Sequence, residues 1–117
     1  MNRNRNSIGE KVENNEMIPL KFYLSQNYPN PFKEKTKIKY CVPFKTRIII
    51  TVFNSKRDFL KKILDKEQAA GTFEVEFDRG NLPEGIYFYR LQTETLTLNT
   101  EKSFSETKEM VLVKGKT

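Results

Sequence analysis

Residues 71–93, GTFEVEFDRGNLPEGIYFYRLQT, restrict the fold more than any other part of the sequence. Apolar and acidic side chains alternate through its first half: Phe73, Glu74, Val75, Glu76 and Phe77. A period of two predicts a β-strand with one apolar face and one acidic face. Residues 78–85 contain two glycines, a proline, an asparagine and an aspartate, which favour a tight turn. Residues 86–91 have apolar side chains on both faces, which predicts a strand near the centre of a sheet.

The rest of the chain is interpreted as short strands arranged around this pair. Alternation predicts strands over 18–25, 36–42, 47–54, 59–64 and 105–114. The predicted core-facing residues of the first three are Leu20, Phe22, Leu24, Ile38, Tyr40, Val42, Ile48, Ile50 and Val52. In the last strand Met110 and Leu112 alternate with Val111 and Val113. Residues 65–70 hold a helical turn at most, and residues 92–102 form a polar hairpin region with weak strand signals at Leu96 and Leu98. Seven or eight strands without a convincing helix predict an all-β fold, an immunoglobulin-like antiparallel β-sandwich.

The length of 117 residues fits one domain, which would bury about 65% of its unfolded surface. Residues 1–17 are rich in Asn and charge, which predicts a flexible tail or linker before a folded domain at 18–117. The N-terminus lacks the apolar segment of a secretory signal peptide. No run approaches the roughly 18 apolar residues of a membrane span, so we expect neither element. The single cysteine, Cys41, excludes an internal disulfide.

Positive charge is concentrated in the middle of the chain. Residues 33–66 contain eleven Lys or Arg against three Asp or Glu, whereas residues 67–117 contain six against nine. One interpretation is a basic surface that binds nucleic acid or an acidic glycan. The interpretation that we favour is that basic and acidic strands pair within one sheet. In that case strand 36–42 neighbours strand 72–78, and two lysines face two glutamates: Lys37 and Lys39 opposite Glu74 and Glu76.

The residues needed for catalysis do not form a pattern in this sequence. Histidine is absent, which removes the commonest general base and metal ligand near neutral pH. Cys41 has no histidine partner and is interpreted as an inert thiol. No glycine-rich phosphate loop, Cys/His cluster or serine motif occurs. The sequence therefore predicts a protein that is not an enzyme, with no catalytic residue, no metal site and no cofactor.

Two short segments are predicted to be rigid. Pro29 and Pro31 lack N–H groups, so residues 26–32 should form a stiff extended or turn segment, held to the domain by Tyr28 and Phe32. Phe32 is predicted to be a buried structural contact rather than part of a ligand site. Tyr87 follows the turn at 78–85. It is either a tyrosine corner, which hydrogen-bonds back into the connection, or a core aromatic with its hydroxyl at the rim.

Three blocks of residues together indicate a family. They are LSQNYPNPF at 24–32 followed by Thr36, Ile38, Tyr40 and Pro43; AGTFEVEFD at 70–78 followed by NLPEGIYFYRL at 81–91; and TKEMVLVK at 107–114. In these blocks the chain resembles a type A C-terminal sorting domain of the type IX (Por) secretion system, found in Bacteroidetes-type bacteria. Two places depart from the family pattern. The turn after the third strand usually carries Gly-Arg and here has Arg57-Asp58, and Lys33-Glu34-Lys35 replaces the usual asparagine and prolines.

The resemblance implies a sorting and secretion signal that needs no catalysis of its own. The type IX translocon would recognise the folded domain after periplasmic transit. A sortase-like peptidase would then cut within residues 1–21 and attach the cargo at the cell surface. The residues implied in recognition are Pro29, Asn30, Pro31, Phe32, Gly85, Tyr87, Lys108, Met110, Leu112 and Lys114. We expect partial burial of two of them, Met110 and Leu112, and accessible side chains at Lys108, Glu109 and Lys114.

The alternative function is an immunoglobulin-like adhesion module that binds a protein or a glycan through loops or a free sheet edge. The fold alone does not separate these functions, because sandwiches host many of them. Nucleic-acid binding is the weakest interpretation, since the basic half lacks interleaved exposed aromatics and a known motif. We therefore expect no nucleic-acid partner. We also expect that no segment inserts in the membrane and that the protein is a monomer.

Overall fold

The computed structural model describes residues 18–94 and 103–115. Within these two ranges there are seven β-strands and no helix: β1 (Tyr23–Leu24), β2 (Lys35–Val42), β3 (Thr46–Phe53), β4 (Phe59–Gln68), β5 (Gly71–Asp78), β6 (Gly85–Glu94) and β7 (Ser105–Leu112). They form two antiparallel sheets in the orders β1-β2-β5 and β4-β3-β6-β7. This confirms the predicted all-β sandwich. The predicted tail at 1–17 and the signals at Leu96 and Leu98 lie outside the described residues.

The core lies between the two sheets and is formed by the alternate residues of each strand. Its fully buried members include Leu24, Ile38, Val42, Ile48, Ile50, Val52, Tyr89, Leu91, Met110 and Leu112. Every core-facing residue predicted for the second and third strands is buried, because side chains two apart lie on one face of a strand. Tyr40 is also in this core, and burial raises its pKa to about 12.

The two strands predicted within residues 71–93, β5 and β6, lie in different sheets. β5 pairs with β2 alone, whereas β6 lies between β3 and β7 and has the predicted central position. Residues 79–84 therefore carry the chain across the sandwich instead of closing a hairpin. β5 and β6 are adjacent in the sequence, but each forms its hydrogen bonds with strands from distant segments.

The predicted pairing of basic and acidic strands is confirmed for β2 and β5. Lys37 is opposite Glu76 and Lys39 is opposite Glu74, and all four side chains point away from the core. The ion pair that forms is diagonal, with 3.9 Å between Lys37 Nζ and Glu74 Oε1. On the same strand Cys41 is half-buried, with its sulfur 3.6 Å from a hydroxyl of β5. Exposed ion pairs such as Lys37–Glu74 stabilise a sheet by only ~0.2–1 kcal/mol, so they mainly favour this register of β2 and β5 over others.

The second sheet pairs charges in the same way. The Arg47 guanidinium on β3 donates to Asp65 Oδ1 at 2.8 Å and to Glu94 on β6 at 2.5 Å. Hydrogen bonds from Arg47 and from Lys62 hold the pKa of Asp65 well below its usual range. Of the eleven basic residues in 33–66, four form ion pairs within the described chain: Lys37, Lys45, Arg47 and Lys62.

Two predicted elements were wrong in extent. The first strand, predicted over 18–25, is reduced to Tyr23–Leu24, and Leu20 is 98% exposed. β1 pairs only with the end of β2, and Pro43 follows that end, so residues before Tyr23 have no partner strand. The strand predicted over 59–64 extends to Gln68, so most of residues 65–70, where a helical turn at most was expected, belong to β4. β4 continues to Gln68 because β3 begins at Thr46, which pairs with Gln68.

Candidate recognition surface

Residues 26–32, here called the clamp segment, join the edges of the two sheets. Tyr28 exchanges two main-chain hydrogen bonds with Lys37 of β2, each 2.9 Å long. At the other end, the Phe32 N–H donates to the Val111 carbonyl, and the Val113 N–H donates to the Phe32 carbonyl, both at 2.9 Å. The Tyr28–Pro29 and Asn30–Pro31 peptide bonds are cis. This segment is therefore a bridge between β2 and β7 and not a continuation of either.

Polar side chains of the clamp segment complete the bridge. Asn27 is buried, and its amide donates to Thr36 Oγ1 at 3.0 Å and to the Pro29 carbonyl at 3.1 Å. Asn30 Oδ1 accepts the Val111 N–H at 2.9 Å, and Gln26 Nε2 donates to the Glu109 carbonyl at 2.6 Å. β7 is an edge strand of its sheet, but the clamp segment covers its outer edge from Glu109 to Val113. The main-chain groups there are therefore not free to pair with a strand of another molecule.

The two aromatic rings of the clamp segment have opposite environments. Phe32 is 1% exposed and packs edge-on against Phe77, with 6.2 Å between ring centroids. The prediction that Phe32 is a buried structural contact is therefore confirmed. Tyr28 was also predicted to hold the segment down, and this is wrong for its side chain, which is 80% exposed. Its main chain pairs with β2, and strand pairing there turns the ring outward.

The exposed ring of Tyr28 borders a groove of about 400 Å³ on the outer side of the three-stranded sheet. Tyr23, half of whose surface is exposed, lies on the same groove with Lys37, Lys39 and Glu74. Aromatic rings flanked by charged side chains are typical of surfaces that contact partners. The clamp segment thus has a buried side that holds the two sheets together and an outer side that lines a groove.

The corner before β6 contains a tyrosine-corner interaction. The Tyr87 hydroxyl donates to the Pro83 carbonyl at 2.5 Å, so this alternative from the sequence is confirmed. The ring is buried, and burial raises the pKa of Tyr87. Tyr87 is opposite Met110 and Gly85 is opposite Leu112, which places the corner beside the C-terminal part of β7.

Replacing Tyr87 with phenylalanine should lower the free energy of unfolding by about 1 kcal/mol, because the Pro83 carbonyl loses its donor while the ring still packs. Chemical denaturation measures this change. Tyr23→Phe is the matched control, since its exposed hydroxyl makes no hydrogen bond in the described chain, and it should be neutral. Equal stability of the Tyr87 variant and the wild type would contradict a structural role for the corner.

Arg79 is a central residue that the sequence did not reveal. Its Nη1 donates to the Lys33 carbonyl at 2.9 Å and to the Val113 carbonyl at 3.3 Å, and its Nη2 donates to the Leu82 carbonyl at 2.9 Å. The chain end passes very close, since a Cβ added at Gly115 would lie 2.7 Å from Nη1. One guanidinium thus joins the residue after the clamp segment, the corner and the end of β7. An arginine in a turn has no periodic signal, so only the structure identifies it.

The residues predicted for recognition fall into two groups. The buried group is Phe32, Tyr87, Met110 and Leu112, and the exposed group is Pro29, Asn30, Pro31, Gly85 and Lys114. Lys108 is half-buried, with Nζ 3.3 Å from Glu106 Oε2, and Glu109 is exposed. Met110 and Leu112 were expected to be partly buried, and this was wrong. Both are almost completely inaccessible, because their side chains enter the core and the clamp segment covers their strand.

A family model described as the secretion system C-terminal sorting domain matches residues 26–105. The match begins with the clamp segment and covers more than half of the chain. The chain belongs to this family. Sorting domains of this kind are non-catalytic in general, interact with the secretion system, and direct export to the cell surface or the extracellular space. A search of curated proteins finds no match. In the described part of this sorting domain, no helix is long and apolar enough to cross a membrane.

Proposed function

We propose that the type IX translocon recognises this sorting domain in its folded form, during export from the periplasm, through the outer side of the clamp segment. The observation that supports this most directly is the two-sided clamp. Phe32 and Asn27 fix its shape from inside, while Tyr28, Pro29 and Pro31 are displayed outward. A partner that reads a folded domain contacts its surface, and preorganised segments bind with less loss of conformational entropy.

The end of β7 forms the second part of the proposed surface. Lys114 is exposed and, together with Glu34, Arg79 and the corner residues, lines an open hollow of about 370 Å³. The hydrogen bonds of Arg79 hold this end beside the corner. The terminal lysine thereby acquires a defined position despite lying beyond the last strand. We propose that it provides a charged contact for the translocon.

The later fate of the domain is part of the same proposal. The domain comprises residues 18–117 and is a monomer. A sortase-like peptidase removes it and attaches the cargo at the cell surface. A cut within residues 1–21 fits the exposed side chains at Ile18, Leu20 and Lys21, just before the first strand. Proteases act on exposed chain segments that lack regular pairing.

Fusion to a reporter tests the recognition surface. Residues 18–117, joined to a periplasm-targeted reporter, should place it on the surface of a type IX-competent cell. Tyr28→Ala and Lys114→Glu should each reduce the surface fraction while the melting temperature stays the same, because both side chains are exposed. Phe59→Ala, at an aromatic ring that is 63% exposed on β4, and Lys56→Glu, in the β3–β4 turn, are matched controls that should be exported normally.

The possible results separate the sorting function from its surface. If the intact domain fails to move the reporter, the sorting function itself is contradicted. If it succeeds and both variants are exported normally, the proposed surface is wrong although the function stands. Deleting residues 110–117 is a poorer test. It removes Met110 and Leu112 from the core, so loss of export would follow from unfolding alone.

A further inference from the structure

Two arginines stack on two phenylalanines on the outer face of the four-stranded sheet. The guanidinium carbon of Arg57 lies 4.1 Å from the ring centroid of Phe88, and that of Arg90 lies 4.7 Å from the centroid of Phe53. Phe53 and Phe88 are directly opposite each other on β3 and β6. These four residues and Thr107 line a hollow of about 170 Å³. The cluster shares no residue with the clamp segment or the corner.

Neither of these arginines has an ion-pair partner among residues 18–94 and 103–115. Asp58 and Glu109 lie in the same region, yet no carboxylate of the described residues forms an ion pair with Arg57 or Arg90. Asp58 instead contacts the side-chain amide of Asn54. The Nε–H of Arg90 is buried without a hydrogen-bond partner. A buried donor left unpaired is unfavourable and uncommon in native proteins, so the described residues do not fully satisfy the Arg90 side chain.

The backbone at Arg57 adds an independent observation. Its φ is 72°, in the left-handed region that favours glycine. The turn is held by Asn54, whose Oδ1 accepts the N–H groups of Lys56 and Asp58, each at 2.9 Å. A non-glycine residue in this conformation is unfavourable, and such strain is concentrated at functional positions. Unlike glycine, arginine at this position places a charged group above Phe88.

We propose that Arg57 and Arg90 form a binding site for a phosphate group. A guanidinium stacked on a ring still presents its N–H edge, which suits the oxygens of an anion. Two positive charges without an ion-pair partner in the described residues match a phosphate monoester, whose charge is about −1.5 to −2 at neutral pH, better than one carboxylate. The hollow admits a group of this size, and the exposed Thr107 hydroxyl adds a donor. Free phosphate, a sugar phosphate and a lipid headgroup share this chemistry.

Titration of the whole chain with inorganic phosphate tests the site, with chloride at equal ionic strength as the reference. Saturable NMR shifts should occur at the Nε–H signals of Arg57 and Arg90 and at the Thr107 amide. Arg57→Gly should weaken binding at least about ten-fold, while its melting temperature stays equal or rises because glycine suits the turn. Arg90→Lys, which keeps the charge but loses the planar fork, should weaken binding similarly. Lys56→Ala removes one charge from the same turn and should bind normally.

Further titrations distinguish the sources of the phosphate group. Tighter binding of glucose 1-phosphate than of phosphate would support a sugar phosphate, and selective binding to vesicles containing phosphatidic acid would support a lipid headgroup. If neither binds more tightly, free phosphate is the supported ligand. Acetate that binds as tightly as phosphate would overturn the assignment in favour of a carboxylate from a partner protein. Equal shifts with chloride, or unchanged phosphate binding in both arginine variants, would overturn the site itself.

Discussion

Replacing Phe32 with alanine should lower the free energy of unfolding by about 3–5 kcal/mol. The ring is almost completely buried and packs against Phe77, so its removal leaves a cavity between the sheets. The main-chain hydrogen bonds of residue 32 to Val111 and Val113 do not need the side chain, so the expected loss comes from the buried ring. Since native domains are stable by only ~5–15 kcal/mol, this one ring represents a large fraction of the total.

Urea denaturation of the Phe32 variant and of Tyr28→Ala measures the difference within one segment. The Tyr28 ring is mostly exposed, so its removal should change the free energy of unfolding by no more than about 0.5 kcal/mol. Similar effects of the two substitutions would contradict the two-sided description of the clamp segment. A Phe32 variant as stable as the wild type would show that the buried ring is not needed to join the sheets.

Replacing Arg79 with methionine should lower the free energy of unfolding by about 2–3 kcal/mol. Methionine keeps most of the side-chain length but leaves the Val113 and Leu82 carbonyls, which are partly buried, without their charged donor. The loss should be concentrated where the three segments meet. Amide hydrogen exchange at Val113 should therefore increase more than exchange in the centre of β3.

Arg79→Lys is the matched control, because it retains the charge but not the fork. An ammonium group cannot reach all three carbonyls at once, so we expect a stability between those of the wild type and the methionine variant. If lysine were fully equivalent to arginine, charge alone would account for the contact. If methionine were neutral, Arg79 would not hold the chain end in place.

The sequence alone determined most of the residues that face the core and where most strands lie. Ile38 and Val42 on β2, like Ile48 and Val52 on β3, were identified from alternation and are all fully buried. This works because side chains two apart always share a face, so burial of one face leaves a local pattern. The blocks at 24–32 and 81–91 likewise indicated the family, since residues 26–32 of the first and all of the second lie within the matched residues.

Apart from the pairing of β2 with β5, which the charge pattern predicted, only the tertiary structure decided which strands pair and what the turns hold. Alternation did not show that β5 and β6 belong to different sheets, because strand pairing joins segments that are distant in sequence. The same reason applies to single residues. Tyr28 and Phe32 look alike in the sequence, but the partners of the clamp segment turn one ring outward and the other inward. Arg79 and Arg57 lie in turns without any period, and their contacts exist only because folding brings carbonyls and aromatic rings to them.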